Sequence, residues 1–206
     1  MELSFIIKGI IIGLSVAAPV GPIGILCIRR GLNKGFWSGF STGLGAATAD
    51  AFYGAIAGLG LTLISGFLIG YKILIQSIGI AFLIYLGIRI FFEKPKTKEI
   101  SQNVSNRGLI LDYLSSLGLT ITNPTTIISF VAIFAGVGIV NTSENYTNAS
   151  ILILGVFLGS TLWWLILSSL VGYLKRQIGD NILNWVNRVS GIILILFAIG
   201  LIIRLL

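Results

Sequence analysis

Apolar residues in this chain run on in long blocks instead of alternating with polar ones, and charged residues are confined to the gaps. Gly9 to Ile28 carries no charge, and neither do Ile73 to Ile88, Tyr113 to Ser143, Asn145 to Leu174 or Val189 to Ile203; Gly35 to Tyr71 carries only Asp50. A bilayer core about 30 Å thick takes about 20 apolar residues as a helix, so Gly35 to Tyr71 is too long for one crossing and the other blocks suit single crossings. The pattern predicts six membrane helices at 5–28, 37–63, 69–92, 112–138, 150–173 and 182–204, making an all-α integral membrane protein. Lys72 and Arg89, at the ends of the third block, reach water by extending their apolar stems along the helix. The first block has only Lys8 as a flanking cation and continues past Ala17 and Ala18, so it reads as a retained helix and not as a cleaved signal peptide.

Charge sets the expected orientation. Arg29, Arg30 and Lys34 follow helix 1; Arg89, Lys94, Lys96, Lys98 and Arg107 follow helix 3; Lys175 and Arg176 follow helix 5, with Arg188 opening helix 6, leaving Lys8, Lys72 and Arg204 on the other side. The positive-inside rule puts the first group in the cytoplasm and both termini outside a plasma membrane that the chain crosses repeatedly. The hydrophilic linker 93–108 divides the chain into repeat 1 (5–92) and repeat 2 (109–206) of a single transporter domain, 1–206. The pI of 9.8 comes from the same loop cations, so nucleic acid is not an expected partner. Asn141, Asn145 and Asn148 each begin an N-x-[ST] sequon in a loop expected outside, where a merely polar loop is the plainer reading.

Composition removes most other classes. Charged residues make up 10% of the 206, against about 25% in a soluble domain, and the mean hydropathy is +0.99. There is no histidine, which excludes imidazole metal ligands and a Ser-His triad, and Cys27 is the single cysteine. No Lys lies mid-span to serve as an intramembrane nucleophile, so the chain is not expected to be an enzyme, to carry a cofactor or to hold a metal.

The two halves share an order of features. Ala18-Pro19-Val20-Gly21-Pro22 interrupts helix 1 and Asn123-Pro124-Thr125-Thr126 interrupts helix 4. Helices 2 and 5 carry Gly39-xxx-Gly43 and Gly155-xxx-Gly159; helices 3 and 6 carry Gly79 and Gly87, and Gly191 and Gly200. Three spans per half is an odd number, so the second copy must lie upside down, and inverted repeats with broken helices in matching positions point to a transporter site. Proline frees backbone groups that must be satisfied inside protein or in a wet cavity. The half-helix that restarts after each proline presents N–H groups and a positive dipole end, which suits a carboxylate.

Asp50 lies midway along helix 2. Gly39, Gly43, Ala47, Ala51 and Ala55 form one small-residue row, with Ala46, Asp50, Gly54 and Gly58 beside it, so Asp50 is expected on a helix contact face. A carboxylate at this depth is costly and marks function by default, although an interhelical hydrogen-bond acceptor is the plainer role. Helix 5 offers no acid between Asn145 and Leu174, and the position matching Asp50 reads as apolar. Thr48, Asn123, Thr125 and Thr126 are deep polar positions suited to a ligand or to interhelical bonds; Trp163 and Trp164 read as packing or cavity wall. Phe36, Trp37, Tyr71, Tyr113, Tyr173 and Trp185 read as interfacial anchors, and Arg29 and Arg30 as topology determinants first and anion contacts second.

The run Ala18-Pro-Val-Gly-Pro-Ile-Gly-Ile-Leu-Cys-Ile-Arg-Arg-Gly31, then Gly35, Gly39-xxx-Gly43 and Ala46-Ala-Thr-Ala-Asp50, closely resembles the lysine-exporter (LysE) family of translocators. Asn123-Pro124 resembles that family's second motif, usually Asn-Pro-Lys, with Thr125 standing where many relatives have lysine. The resemblance covers essentially the whole chain. It implies export of amino acids or similar small metabolites across the plasma membrane, driven by an ion gradient of protons or sodium. It also implies that Gly21, Pro22, Asp50, Asn123 and Pro124 line the path. The electron-carrying branch of the wider superfamily needs paired cysteines, which Cys27 does not supply. The alternative function, a cation efflux or channel protein using Asp50, suffers from a lone carboxylate being a poor transition-metal site. The chain is free to act alone or as a homo-oligomer.

The orientation is checked by cysteine labelling. A cysteine at Thr97 should stay unreactive to an impermeant reagent added outside, and one at Thr147 should be labelled; the reverse pattern overturns the assignment.

Overall fold

The computed structural model describes residues 2–18, 21–58, 70–92, 106–123, 126, 130, 146–175 and 180–203, and all regular structure among them is helical. The helices are α1 (Glu2–Ala17), α2 (Pro22–Lys34), α3 (Phe36–Gly58), α4 (Lys72–Phe92), α5 (Asn106–Ile121), α6 (Tyr146–Lys175) and α7 (Asp180–Ile203). Within α6 and α7, Thr147–Leu174 and Asn184–Ile203 are long and apolar enough to cross a membrane on their own. The first predicted span is two helices, α1 and α2, bent by 81°. Pro22 opens α2 at a position where its missing N–H has no helical partner to lose. In the fourth predicted span α5 ends at Ile121, just before Asn123-Pro124, because the residue before a proline is driven out of the helical region. Pro124 and Thr125, like the linker residues 93–105, lie outside the described residues. The linker is shorter than 93–108 suggests, since Asn106, Arg107 and Gly108 already belong to α5.

Helix directions follow from which residues touch. A Cβ added at Gly9 would meet Gly155 and one at Gly13 would meet Ser160, so α1 and α6 run parallel. Ser41 Oγ donates to the Leu109 carbonyl, Thr48 accepts from Tyr113 and Tyr53 donates to the Ile121 carbonyl, so α3 and α5 are parallel as well. Gly39 lies against Ser168 and Gly43 against Trp164, which makes α3 and α6 antiparallel. Gly87 lies against Ile195, and Gly191 against Phe91, so α4 and α7 are antiparallel too. Gly87 and Gly191 are the point of closest approach of that pair: a Cβ on Gly191 would stand 2.7 Å from the Gly87 carbonyl oxygen, and one on Gly87 3.0 Å from the Gly191 oxygen. Gly79 lies instead against Thr122, and Gly200 faces open space, so the four glycines of these helices are not equivalent. Outward positions such as Leu154, Leu158, Leu162 and Ile166 on α6 remain exposed, as lipid-facing residues do.

A buried ionic joint locks α2 to the rest. Asp112 of α5 is 3% exposed and accepts from Arg30 Nε at 3.1 Å, from Lys34 Nζ at 3.0 Å and from the Ser38 hydroxyl. Arg30 also donates to Thr42 Oγ1, the Asp112 carbonyl and Ser115 Oγ. Arg29 Nε and Asn33 Nδ2 both donate to Asn187 Oδ1 of α7. Four helices thus meet through side chains of one short helix. Arg29 and Arg30, read from sequence as loop charges, are each only 7% exposed because they carry these bonds.

Two substitutions test this packing. Gly191→Ala should cost about 1–3 kcal/mol by forcing α4 and α7 apart, while Gly200→Ala should stay within about 0.5 kcal/mol, both read by unfolding of purified protein in detergent. Asp112→Asn should cost about 3–5 kcal/mol because it strands Arg30 without its counter-charge. Lys34→Ala should cost less than about 1 kcal/mol, since half of the Lys34 side chain is exposed.

Candidate functional site

A cavity of about 720 Å³ lies between the amino-terminal end of α2, α4, the carboxyl-terminal end of α5, and α7. Gly21, Pro22, Asn123 and Thr126 line it, so the two interrupted segments converge on one space. The volume falls in the range of small-molecule sites, about 300–1,000 Å³. Gly21 caps α2 in an extended conformation and no side chain caps that helix end, so the N–H groups of its first turn face the cavity region without an intrahelical acceptor. Along α4, Gln76, Gly79, Ile80 and Leu83 supply one helical face of the wall. Among the described lining residues there is no Asp, Glu, Lys or Arg.

Asp50 is elsewhere. It is 4% exposed, between α3 and α6, and accepts a hydrogen bond of 2.7 Å from Ser160, which in turn accepts from Trp164 Nε1 at 3.2 Å. On the facing helix the partner of Asp50 is Ser160, whose side chain is fully buried; it is not the position that the repeat matches to Asp50, which is the apolar Ile166. A lone serine in a run of Gly, Leu and Trp reads as a neutral helix residue until the facing helix is known. Thr48 does not line the cavity; its hydroxyl donates to the Leu44 carbonyl and accepts from Tyr113. That bond also takes Tyr113 out of the set of simple interfacial anchors, whereas Trp37, Tyr71, Tyr173 and Trp185 are exposed as anchors should be. Trp164 is buried against Gly43, and packs with Ala17, Cys27, Ala46 and Ala47.

Asp112 and Gln76 carry weight that sequence reasoning missed. Asp112 sits at the edge of an apolar block, where an acid reads as a solvated helix end. Gln76 falls near the start of a span and looks like a tolerated polar residue. Among the described residues no group of three His, Cys, Asp or Glu is placed to hold a metal ion.

The sequence pattern of the family described as "LysE type translocator" matches residues 14–205. The chain is 26% identical over 192 residues to the "Putative amino acid efflux protein YcgF" of Bacillus subtilis (strain 168), covering 91% of this chain and 90% of that one. It is 27% identical over 185 residues to the "Uncharacterized membrane protein YrhP" of the same organism, covering 85% and 87%. No solved structure matches it. The family consists of membrane transporters and not enzymes. A match of this extent, on a chain whose two interrupted segments meet at one cavity, means that this chain belongs to the LysE type translocator family.

Proposed function

We propose that this protein is a secondary transporter that exports amino acids or related small metabolites across the plasma membrane, coupled to an ion gradient. The observation that carries the reading is the convergence of Gly21 and Pro22 with Asn123 and Thr126 on the cavity. The substrate binds there, with its carboxylate at the amino-terminal end of α2. The relative named for amino acid efflux, aligned over 90% of its own length, supports the substrate class.

The chain crosses the membrane six times as two inverted three-helix repeats, 5–92 and 109–206, with both termini outside. The packing supports this. Helix 1 and helix 5 are parallel, as are helix 2 and helix 4, and an inverted repeat makes these two pairs each other's mates. Helix 2 on helix 5, and helix 3 on helix 6, are pairs that the repeat maps onto themselves, and both are antiparallel. Alternating access then amounts to one repeat rocking against the other around the cavity.

Asp50 serves the coupling ion, not the substrate. A carboxylate buried between two spans with one serine donor is incompletely neutralised, and a proton or sodium ion completes it. Tyr53, one turn further along α3, donates to the Ile121 carbonyl at the end of α5, so a shift of α3 on ion binding reaches the cavity directly. Asp50→Asn should insert and fold at wild-type levels, because it removes a buried charge, yet lose gradient-driven efflux from everted vesicles. Wild-type efflux by a well-expressed Asp50→Asn protein reduces Asp50 to an interhelical bond and removes it from the mechanism.

A further inference from the structure

The cavity wall holds a polar side chain whose amide faces that space. Gln76 is 6% exposed and lines the cavity, yet among the described residues its amide has no hydrogen-bond partner. Its oxygen and nitrogen open onto the cavity, unlike Ser116 Oγ and Thr161 Oγ1, which are sealed without a partner. It has both a carbonyl oxygen to accept and an NH₂ to donate.

Two helix ends of opposite polarity border the same space. The first turn of α2, opened by Gly21 and Pro22, presents uncapped N–H groups and the positive end of the helix dipole. The carboxyl-terminal end of α5, where Leu119 and the following Thr122 and Asn123 line the cavity, is the negative end of a helix dipole. The Gly118 to Ile121 carbonyls already accept from Thr122, Asn123 and Tyr53, and among the described residues the Thr122 carbonyl stays open. Thr122 already turns its hydroxyl back to the Gly118 carbonyl, so its own oxygen lone pairs and backbone carbonyl remain as acceptors. The rest of the wall is apolar, including Ile80, Leu83, Ile193 and Phe197.

From this we infer that the cavity is a receptor for the zwitterionic head of a neutral amino acid with an apolar side chain. The inference rests on the amino-acid exporter reading and narrows its substrate class. The carboxylate meets the N–H groups of α2. The ammonium meets the Thr122 carbonyl, at the negative end of α5, and the Gln76 amide oxygen. The aliphatic wall takes the side chain. A lysine or glutamate side chain would place an uncompensated charge against that wall, because none of the described lining residues is ionised. The opposed helix ends neutralise a zwitterion without a fixed charge from any described lining residue, which is why Asp50 can sit apart between α3 and α6.

The test uses the full-length protein, purified and reconstituted in liposomes with an imposed ion gradient. Radiolabelled leucine should be moved saturably. Valine, isoleucine and methionine should compete. Lysine, arginine and glutamate should not, and neither should leucinamide, which lacks the carboxylate, or 4-methylpentanoate, which lacks the ammonium. Gln76→Leu should raise the leucine KM about tenfold with the maximal rate within about twofold, the size expected for one lost hydrogen bond to a charged group. Gln76→Glu should weaken leucine and let lysine compete. Transport of lysine or glutamate in place of leucine overturns the cavity assignment and leaves amino-acid export standing. Effective competition by leucinamide or 4-methylpentanoate, or an unchanged leucine KM in Gln76→Leu, also overturns it. Movement of no amino acid, by protein that unfolds at its normal temperature, overturns this inference and the exporter reading together. Should both Gln76 variants fail to fold, the wild-type competition series decides alone.

Discussion

The carboxylate of Asp112 is the interaction on which the arrangement of this molecule turns. The helix α2 has 13 residues, too few to cross a bilayer, and a sharp bend separates it from α1. Such a helix has little of its own to hold it in place. Arg30 and Lys34 fasten its carboxyl-terminal half to Asp112, while Arg29 and Asn33 fasten the same half to Asn187. Because the helix is a rigid rod, fixing that half also fixes where its amino-terminal end points. The uncapped N–H groups that follow Pro22 are held at the cavity by bonds made about two turns away. Buried ion pairs are weak evidence of net stability, since hydrophobic replacements often do as well. Their value here is positional: hydrophobic contact alone would let a short helix slide or rotate.

Close backbone approach is the second constraint. Lipid offers helices no hydrophobic reason to associate, so association depends on packing, and packing depends on small residues at the crossings. Gly9 and Gly155 join α1 to α6, Gly43 takes Trp164, Gly45 meets the Tyr113 backbone, and Gly87 meets Gly191. These crossings let α3 touch both α5 and α6, which places Asp50 against Ser160 on one side and Tyr53 against Ile121 on the other. In the proposed mechanism α3 is thus the element shared by the ion site and the end of α5 that borders the substrate cavity. Separation of the two sites has a physical advantage. A carboxylate in the cavity would bind the substrate ammonium in every state and hinder release, whereas one between α3 and α6 can bind and release its ion as the helices move.

Much was legible in the sequence alone. Uninterrupted apolar blocks placed the helices, since a bilayer imposes a minimum length that no soluble packing imitates. Pro22 and Pro124 marked the interruptions, because proline removes a bond whatever surrounds it. Asp50 stood out since one charge in an apolar block is costly in any arrangement. The run around Pro22 and Asp50 was enough to indicate the family that the whole-chain match shows. All of these are properties of a single helix in its solvent, and a single helix is what a stretch of sequence specifies.

What only the tertiary structure decided concerns pairs of helices. That Asp112 is a buried joint and not a helix end, that Ser160 is the partner of Asp50, and that Gly87 crosses at Gly191 while Gly200 faces open space each depend on which helix lies opposite. Gln76 became distinctive only when α2, α5 and α7 were seen to enclose it without giving it a partner. A 3.6-residue period tells which side of a helix is small or polar, but one small-residue face fits many others about equally well. The choice among them is made by the summed packing of all the helices at once.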